Sequence, residues 1–333
     1  MYTNTTIAFS GYNIKSIVLL AIESFLKMYP SMKSQIIFFD DFSTDGTAAA
    51  LKLRGIKVIT WDNSLLEKYN QYVKDNPHWS NVQTLSVRVS FILENIIRQT
   101  PTDYLLLNDG DVIFKNNNFL ERFFQLSKEA DIIYQQDHLH NMEGAQKELF
   151  NKIKDKYKLL ILKEEDKNYV TWRMFHCHIF MNIKKLKEFN ITSDMLDNET
   201  VQLLEGGIFD TFSDFTFRAI SSPNLKTKNE NILHQNILHF GSIACEQRGF
   251  VLGINQTETP DGGKEISAHT HRINRGQKIE KDFVVIDFNE NIKDLLNCEF
   301  TEIEHILFNG YTIKEVHENP KRKMFKLIFK KIL

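Results

Sequence analysis

Gln35-Ile36-Ile37-Phe38-Phe39-Asp40-Asp41-Phe42-Ser43-Thr44-Asp45-Gly46-Thr47 passes abruptly from apolar to polar residues. Gln35 to Phe39 reads as a buried strand, Asp40 to Gly46 as a loop, and the residues from Thr47 to Leu53 as a helix. Working outward, Ile7 to Phe9 is a shorter apolar run that ends in Ser10-Gly11-Tyr12-Asn13. Ile17, Leu20, Ala21, Ser24, Phe25 and Met28 follow at helical spacing, and Pro30-Ser31 breaks the pattern. Downstream, Gly55 to Ile59 gives a third strand, Leu85 to Arg98 a long amphipathic helix, and Asp103 to Leu107 a fourth strand. Strands alternating with helices predict parallel βαβ units in a doubly wound α/β sheet. Ligands of such sheets bind outside the carboxyl ends of the strands. Three strand ends meet that condition with polar groups: Ser10 to Asn13, Asp40 to Asp45, and Asn108-Asp109-Gly110-Asp111.

Beyond residue 116 the pattern is less regular. A helix is predicted at 118–128, a strand at Asp131 to Tyr134, a Lys-rich helical stretch at 144–163, and strands at His178 to Met181 and Ile237 to Phe240. Residues 255–280 are polar and Gly-containing and read as a loop. The division expected is a catalytic domain over 1–245, a flexible active-site loop over 246–282, and a small C-terminal extension over 283–333. In that extension, Met324, Phe325, Ile328 and Ile332 fall opposite Lys323, Lys326 and Lys330 on a helical wheel, so 321–333 is predicted to be a basic amphipathic helix. Such a helix either attaches to an anionic membrane surface or docks on its own domain.

The chain has 333 residues, 42% hydrophobic and 25% charged, with only 14 Gly and 6 Pro. Those values exclude a disordered or collagen-like chain and leave room for a sizeable core. Lys plus Arg number 41 and Asp plus Glu 43, a net charge of −2 that argues against a nucleic-acid binder. Six of the basic groups lie in 321–333, which holds no acid. Cys177, Cys245 and Cys298 are too widely spaced for a disulfide framework or a zinc cluster and read as reduced. No segment reaches the roughly 20 apolar residues of a membrane span, and no secretory signal is visible at the start. A cytoplasmic protein is expected, peripheral on the inner face of the membrane if the tail attaches there.

Asp109-Gly110-Asp111 places two carboxylates at the mouth of the sheet. A hard divalent cation that also grips a diphosphate needs only one or two protein oxygens, which this spacing supplies. The same residues also suit an ordinary turn. Taken with Ile7 to Asn13 and Phe38 to Thr47, the stretch Asp103 to Asp111 resembles the signature segments of family-2 glycosyltransferases of the GT-A fold. Gly206-Gly207-Ile208-Phe209-Asp210, Ser213 to Ala219, and His239-Phe240-Gly241-Ser242 extend the resemblance to about residues 5–245. It implies a Rossmann-like, mostly parallel central sheet flanked by helices. It further implies that Tyr12, Asp40 and Asp41 line a nucleoside pocket, and that Asp109 and Asp111 hold Mn²⁺ or Mg²⁺ on the donor diphosphate. His239 would complete the metal or phosphate site, and Asp214 would be the catalytic base. Where that base usually follows a Glu, this chain has Ser213.

The expected activity is transfer of a sugar from a nucleotide-sugar donor to a glycan or lipid-linked acceptor, by direct displacement with inversion. Arg88 either contacts the diphosphate or is a solvated helical residue. His176 and His178 share a face if they lie on a strand, and read as satisfied polar residues because no nearby Asp or Glu completes a ligand set. His269, His271, Arg272 and Arg275 either close over a nucleotide diphosphate or stay in a mobile loop. Ser213 motivates an alternative, an inactive homologue that binds a glycan or a partner. A sugar-phosphate nucleotidyltransferase is the third reading, and Ser10-Gly11-Tyr12-Asn13 lacks the Gly-rich, Arg-containing loop that it needs.

Overall fold

The computed structural model of the chain describes residues 3–78, 81–114, 118–135, 140–141, 161–164, 167–170, 174, 178–188, 213–230, 236–239, 251–258, 264–271, 311–319 and 324–331. In chain order its elements are β1 (Thr5–Gly11), α1 (Lys15–Met28), a 3-10 segment (Pro30–Gln35), β2 (Ile36–Asp40), α2 (Thr47–Leu53), β3 (Lys57–Ile59), α3 (Asn63–Asp75), α4 (Asn81–Gln99), β4 (Tyr104–Asp109) and β5 (Val112–Phe114). There follow α5 (Phe119–Leu126), β6 (Ile132–Tyr134), β7 (His140–Asn141), β8 (Ile161–Glu164), β9 (Lys167–Val170), β10 (His178–Asn182), α6 (Ile183–Glu188), α7 (Ser213–Ser221), β11 (Thr227–Asn229) and β12 (Ile237–His239). The last four are β13 (Val251–Glu258), β14 (Lys264–His271), β15 (Tyr311–Asn319) and β16 (Met324–Lys331).

Seven strands form the main sheet in the order β11-β6-β10-β4-β1-β2-β3. All pairs are parallel except those of β10, which runs antiparallel to both β4 and β6. The sheet is thus mostly parallel, as the alternation of elements predicts. Its central strands are apolar on both faces because both faces are covered. Ile7, Phe9, Ile36, Phe38, Leu106 and Phe180 pack on one side with Ile17, Val18, Ala21 and Phe25 of α1 and with Leu120 and Phe123 of α5. Ala8, Ile37, Phe39, Leu105, Leu107 and Ile179 pack on the other with Leu93, Ile96 and Ile97 of α4 and with Phe215 and Ala219 of α7. Alternate residues of each strand therefore feed two separate cores.

Helix α3 is not anticipated by the sequence reading. Asp62 caps it, its carboxylate accepting from the backbone N–H of Ser64 and Leu65. Leu65 and Tyr69 of α3 pack with Trp61, Val87 and Phe91 in a third, smaller cluster. Among the described residues no helix is long and apolar enough to cross a membrane.

Two expectations are corrected, and a third in its last residues. Met324–Lys331, predicted as part of a basic amphipathic helix, is strand β16, paired antiparallel with β15 from Tyr311↔Lys331 to Asn319↔Met324. Phe325, Leu327 and Phe329 recur at a period of two, and aromatic and β-branched residues favour strands once a partner is available. Within the predicted flexible loop, Val251–Glu258 and Lys264–His271 form an antiparallel hairpin. The sequence between them, Pro260-Asp261-Gly262-Gly263, is of residue types that favour turns. The Lys-rich helical stretch predicted for 144–163 lies outside the described residues up to 160, and Ile161–Glu164 is strand β8.

Candidate functional site

Parallel pairing brings three strand ends side by side. Gly11 of β1 lies opposite Asp40 of β2, and Ser10 opposite Asp109 of β4. The backbone N–H of Asp41 donates to Gly11 O at 3.1 Å, and that of Gly110 to Ser10 O at 3.1 Å. Tyr12, Asp41 and the Asp109-Gly110-Asp111 turn are thereby gathered on one edge of the sheet. Asp111 is buried and Asp109 half-buried, whereas Tyr12 is exposed.

Beneath this edge Ile14 acts as a wedge. A Cβ on Gly110 would overlap the Cδ1 of Ile14 and lie 3.0 Å from Ser10 O, and one on Gly11 would overlap the same Cδ1 and lie 2.8 Å from Cγ1. Neither glycine has a left-handed φ, so the requirement is for space rather than for conformation. Glycine between the two aspartates thus lets β1 and β4 close on the Ile14 side chain. After the turn, the backbone N–H of Phe114 donates to Ser24 Oγ at 3.1 Å, fixing β5 to α1.

The loops after β1 and β2 are tied to each other. Asn13, at φ 54°, accepts through Oδ1 from the N–H of Thr44 at 2.7 Å and of Asp45 at 3.3 Å, while its own N–H donates to Ser43 Oγ at 3.0 Å. Asn tolerates this left-handed conformation better than most residues. Asp45 accepts from the N–H of Lys15 at 3.1 Å and of Thr47 at 2.9 Å. Asp40, expected to line the pocket, is buried and accepts from the N–H of Ser43 at 3.2 Å, so its carboxylate serves the loop.

Asp41 is the centre of a charged and aromatic cluster. Arg88 of α4 grips it with two bonds, Nε to Oδ2 at 2.8 Å and Nη2 to Oδ1 at 2.7 Å, and Trp61 Nε1 donates to Oδ1 at 2.9 Å. The guanidinium sits 5.4 Å from the Trp61 ring and 5.5 Å from Tyr69, a cation–π arrangement. Burial pushes the Asp41 carboxyl above its ordinary value, and the bonds from Arg88 and Trp61 pull it back. The bond to Asp41 raises Arg88 in turn. Arg88, half-buried, is thus the bidentate partner of Asp41. Phe42, at φ 62°, stands exposed and stacks on Trp61 at 6.5 Å. A left-handed aromatic residue costs about 1 kcal/mol.

On the far side of β4, Asn108 and His178 form a buried pair, Oδ1 to Nδ1 at 2.7 Å. His178 is thus a buried polar residue, satisfied at Nδ1 and not, as expected, throughout, since Nε2 has no hydrogen-bond partner among the described residues; burial pushes its pKa down to about 3, so the ring is neutral. Strand β12 pairs antiparallel with β5 and sets His239 opposite Val112, the residue after Asp111. Asp214 lies in the first turn of α7, a helix anchored by Phe215 in the core and by Thr216 Oγ1, which accepts from the N–H of Met174 at 2.9 Å. His269 and His271 lie on β14, whereas His176, Arg272, Arg275 and the Gly206 to Asp210 stretch fall outside the described residues.

The donor set fits a hard cation in part. Two carboxylates flank Gly110, and among the described residues no group of three or more His, Cys, Asp or Glu is placed to hold a metal. Mg²⁺ and Mn²⁺ accept such a pair when phosphate and water complete the shell. The sequence reading missed Trp61 and Tyr69, although Leu65, Tyr69, Tyr72 and Val73 at helical spacing after Asp62 carried a signal.

No protein-family model matches this chain, and no curated protein matches it. Solved structures do. One is a mannosyltransferase from Pyrobaculum calidifontis in complex with GDP-mannose and Mn²⁺, at 10% identity and TM-score 0.38, covering 68% of this chain and 54% of that one. A second is mouse xyloside xylosyltransferase 1 in its apo form, at 14% identity and TM-score 0.42, covering 68% and 85%. A third is a mannosyltransferase from S. cerevisiae in complex with GDP, at 14% identity and TM-score 0.40, covering 68% and 67%. The match spans about half the length of the Pyrobaculum protein.

Proposed function

We propose that the protein is a metal-dependent glycosyltransferase of the GT-A type, using a nucleotide-sugar donor and a glycan or lipid-linked acceptor. The observation that supports this reading best is the convergence of Asp109 and Asp111 with Tyr12 and Asp41 on one edge of a mostly parallel sheet. That arrangement would set diphosphate and nucleoside chemistry side by side, in the order the sequence resemblance implies. Residues 1–245 would form the catalytic unit, with 246–282 beside its mouth and 283–333 as an extension.

In this reading Asp109 and Asp111 would hold Mn²⁺ or Mg²⁺, and His239, on β12, would complete that site. A bound cation supplies Lewis-acid neutralisation of charge on the departing diphosphate. The exposed Tyr12 ring and the Asp41–Arg88 pair receive the nucleoside. Asp214 takes the proton from the acceptor hydroxyl as it attacks the anomeric carbon, and direct displacement inverts that centre.

The test is transfer or hydrolysis of UDP- and GDP-sugars by the full chain with Mn²⁺, Mg²⁺ or EDTA. Asp111→Asn should lose metal-dependent turnover while folding normally, and Asp214→Asn should lose about 10²-fold while still binding donor. Undiminished turnover in EDTA or in Asp111→Asn refutes the metal reading. No turnover with any donor, alongside metal-dependent nucleotide binding, favours the inactive homologue.

The basic residues from Lys321 to Lys331 support a second contact, with an anionic membrane on the inner face of the cell boundary. Each contributes about 1 kcal/mol near such a surface at low salt. The full chain should sediment with phosphatidylserine vesicles at low salt and a chain with all six changed to Gln should not; equal sedimentation removes the contact.

A further inference from the structure

Asn108 is fully buried on β4, immediately before the acidic turn, and pairs in register with Phe9 of β1 on one side and His178 of β10 on the other. Its amide nitrogen donates to Ala8 O at 3.2 Å and to Leu106 O at 3.3 Å, so one bond crosses to β1 and one stays on β4. That orientation turns Oδ1 to His178 Nδ1, which therefore carries the proton. The ring lies 5.8, 5.3 and 5.2 Å from the rings of Phe114, Phe119 and Phe123. Its other nitrogen, Nε2, is buried with no hydrogen-bond partner among the described residues.

That orphaned nitrogen argues against a packing role. A phenylalanine would fill the same aromatic cage with no unpaired polar atom, and an unpaired buried acceptor is unfavourable. What histidine adds is one donor, and that donor goes to Asn108. We propose that His178 is a positioning residue for the acidic turn: its Nδ1–H orients the Asn108 amide, which pins the end of β4 to β1 and so sets where Asp109 and Asp111 stand. The proposal rests on the reading of those two aspartates as the metal-holding pair. Without the donor, the Asn108 amide must turn to satisfy Oδ1, and its bond to Ala8 O is released.

Two substitutions separate the donor from the ring. His178→Phe keeps the ring and removes the donor; His178→Asn places an amide N–H where Nδ1 stood and removes most of the ring. Two readouts apply to the full chain: hydrogen exchange of the Gly110 amide, which bonds Ser10 O, and Mn²⁺ affinity by electron paramagnetic resonance. In His178→Phe, Gly110 should exchange about tenfold faster relative to the slowest core amides, and Mn²⁺ should bind about tenfold more weakly, as for other lost outer-shell partners. In His178→Asn both should stay within about threefold of the parent, even if the protein melts lower. The proposal fails if His178→Phe leaves Gly110 protected, or if His178→Asn loses as much as His178→Phe. Should His178→Phe not fold, His178→Leu takes its place. If the unaltered chain binds no Mn²⁺, the metal reading falls and the exchange at Gly110 still decides the positioning role.

Discussion

Replacing Gly110 by alanine tests the wedge directly. The added Cβ overlaps the Cδ1 of Ile14, far inside the 3.4 Å at which ordinary contact begins, and also meets Ser10 O at 3.0 Å. Ile14 is only 3% exposed, so its terminal methyl has no solvent to swing into. Overpacking of this kind costs about 1–3 kcal/mol, offset by the ~0.4–1 kcal/mol that alanine gains by restricting the unfolded chain. A net loss of about 1–2 kcal/mol is expected for Gly110→Ala. Ile14→Val removes Cδ1 alone, at about 0.5–1.5 kcal/mol. In the double variant the new methyl's nearest remaining neighbours are Ser10 O at 3.0 Å and Cγ1 at 3.6 Å. Gly110→Ala should therefore cost little more once Ile14→Val is present. Gly11→Ala should not be rescued in the same way, because Cγ1 at 2.8 Å persists. Urea unfolding of the parent, the single variants and the two doubles gives the coupling energies. Gly110→Ala within about 0.5 kcal/mol of the parent, or equal rescue of both glycines by Ile14→Val, refutes the reasoning.

Arg88→Met leaves the Asp41 carboxylate buried without its ion partner and should cost about 2 kcal/mol at pH 7. Because burial already raises Asp41, the native state holds its proton to higher pH than the unfolded chain does. The penalty of Arg88→Met should thus grow as pH rises from 4 to 7, and a penalty that is larger at pH 4 would show that the ion pair is not its cause. His178 has the opposite sign: its native pKa of about 3 lies below the ordinary 6.5, so the unfolded state binds the extra proton. Stability should fall as pH drops below 6.5, approaching about 1.4 kcal/mol per pH unit relative to His178→Phe. Parallel stability profiles of the two proteins between pH 6.5 and 4.5 would rule this out.

Most of the main sheet was legible because its strands are covered on both faces. Ile36 to Phe39 and Leu105 to Leu107 are the near-continuous apolar runs that such strands carry. The edge of the site was legible for the same reason, since Tyr12, Asp41 and Asp109 each follow an apolar run. The partners of those residues were not. Nothing local to Asp41 says that Arg88, 47 residues away, takes its carboxylate, or that Trp61 adds a third bond. The wedge was hidden as well, because Gly11 and Gly110 meet at Ile14 only after β1 and β4 have paired. At 324–331 the apolar residues fit periods of two and of 3.6 about equally, and the partner strand that decides lies in 311–319.

The cross-tie between the loops after β1 and β2 determines when the mouth of the sheet acquires its shape. Asn13, Ser43, Thr44 and Asp45 fix each other's backbones within the fold itself, so their conformational entropy is surrendered during folding and not when a ligand arrives. A nucleotide entering there would meet a preorganised rim and lose little affinity to loop ordering. Adaptation to different bases would fall to the side chains of Tyr12 and Phe42, the two exposed aromatic residues on that rim. Selectivity among bases would then come through side-chain rotamers, with the backbone as a fixed reference.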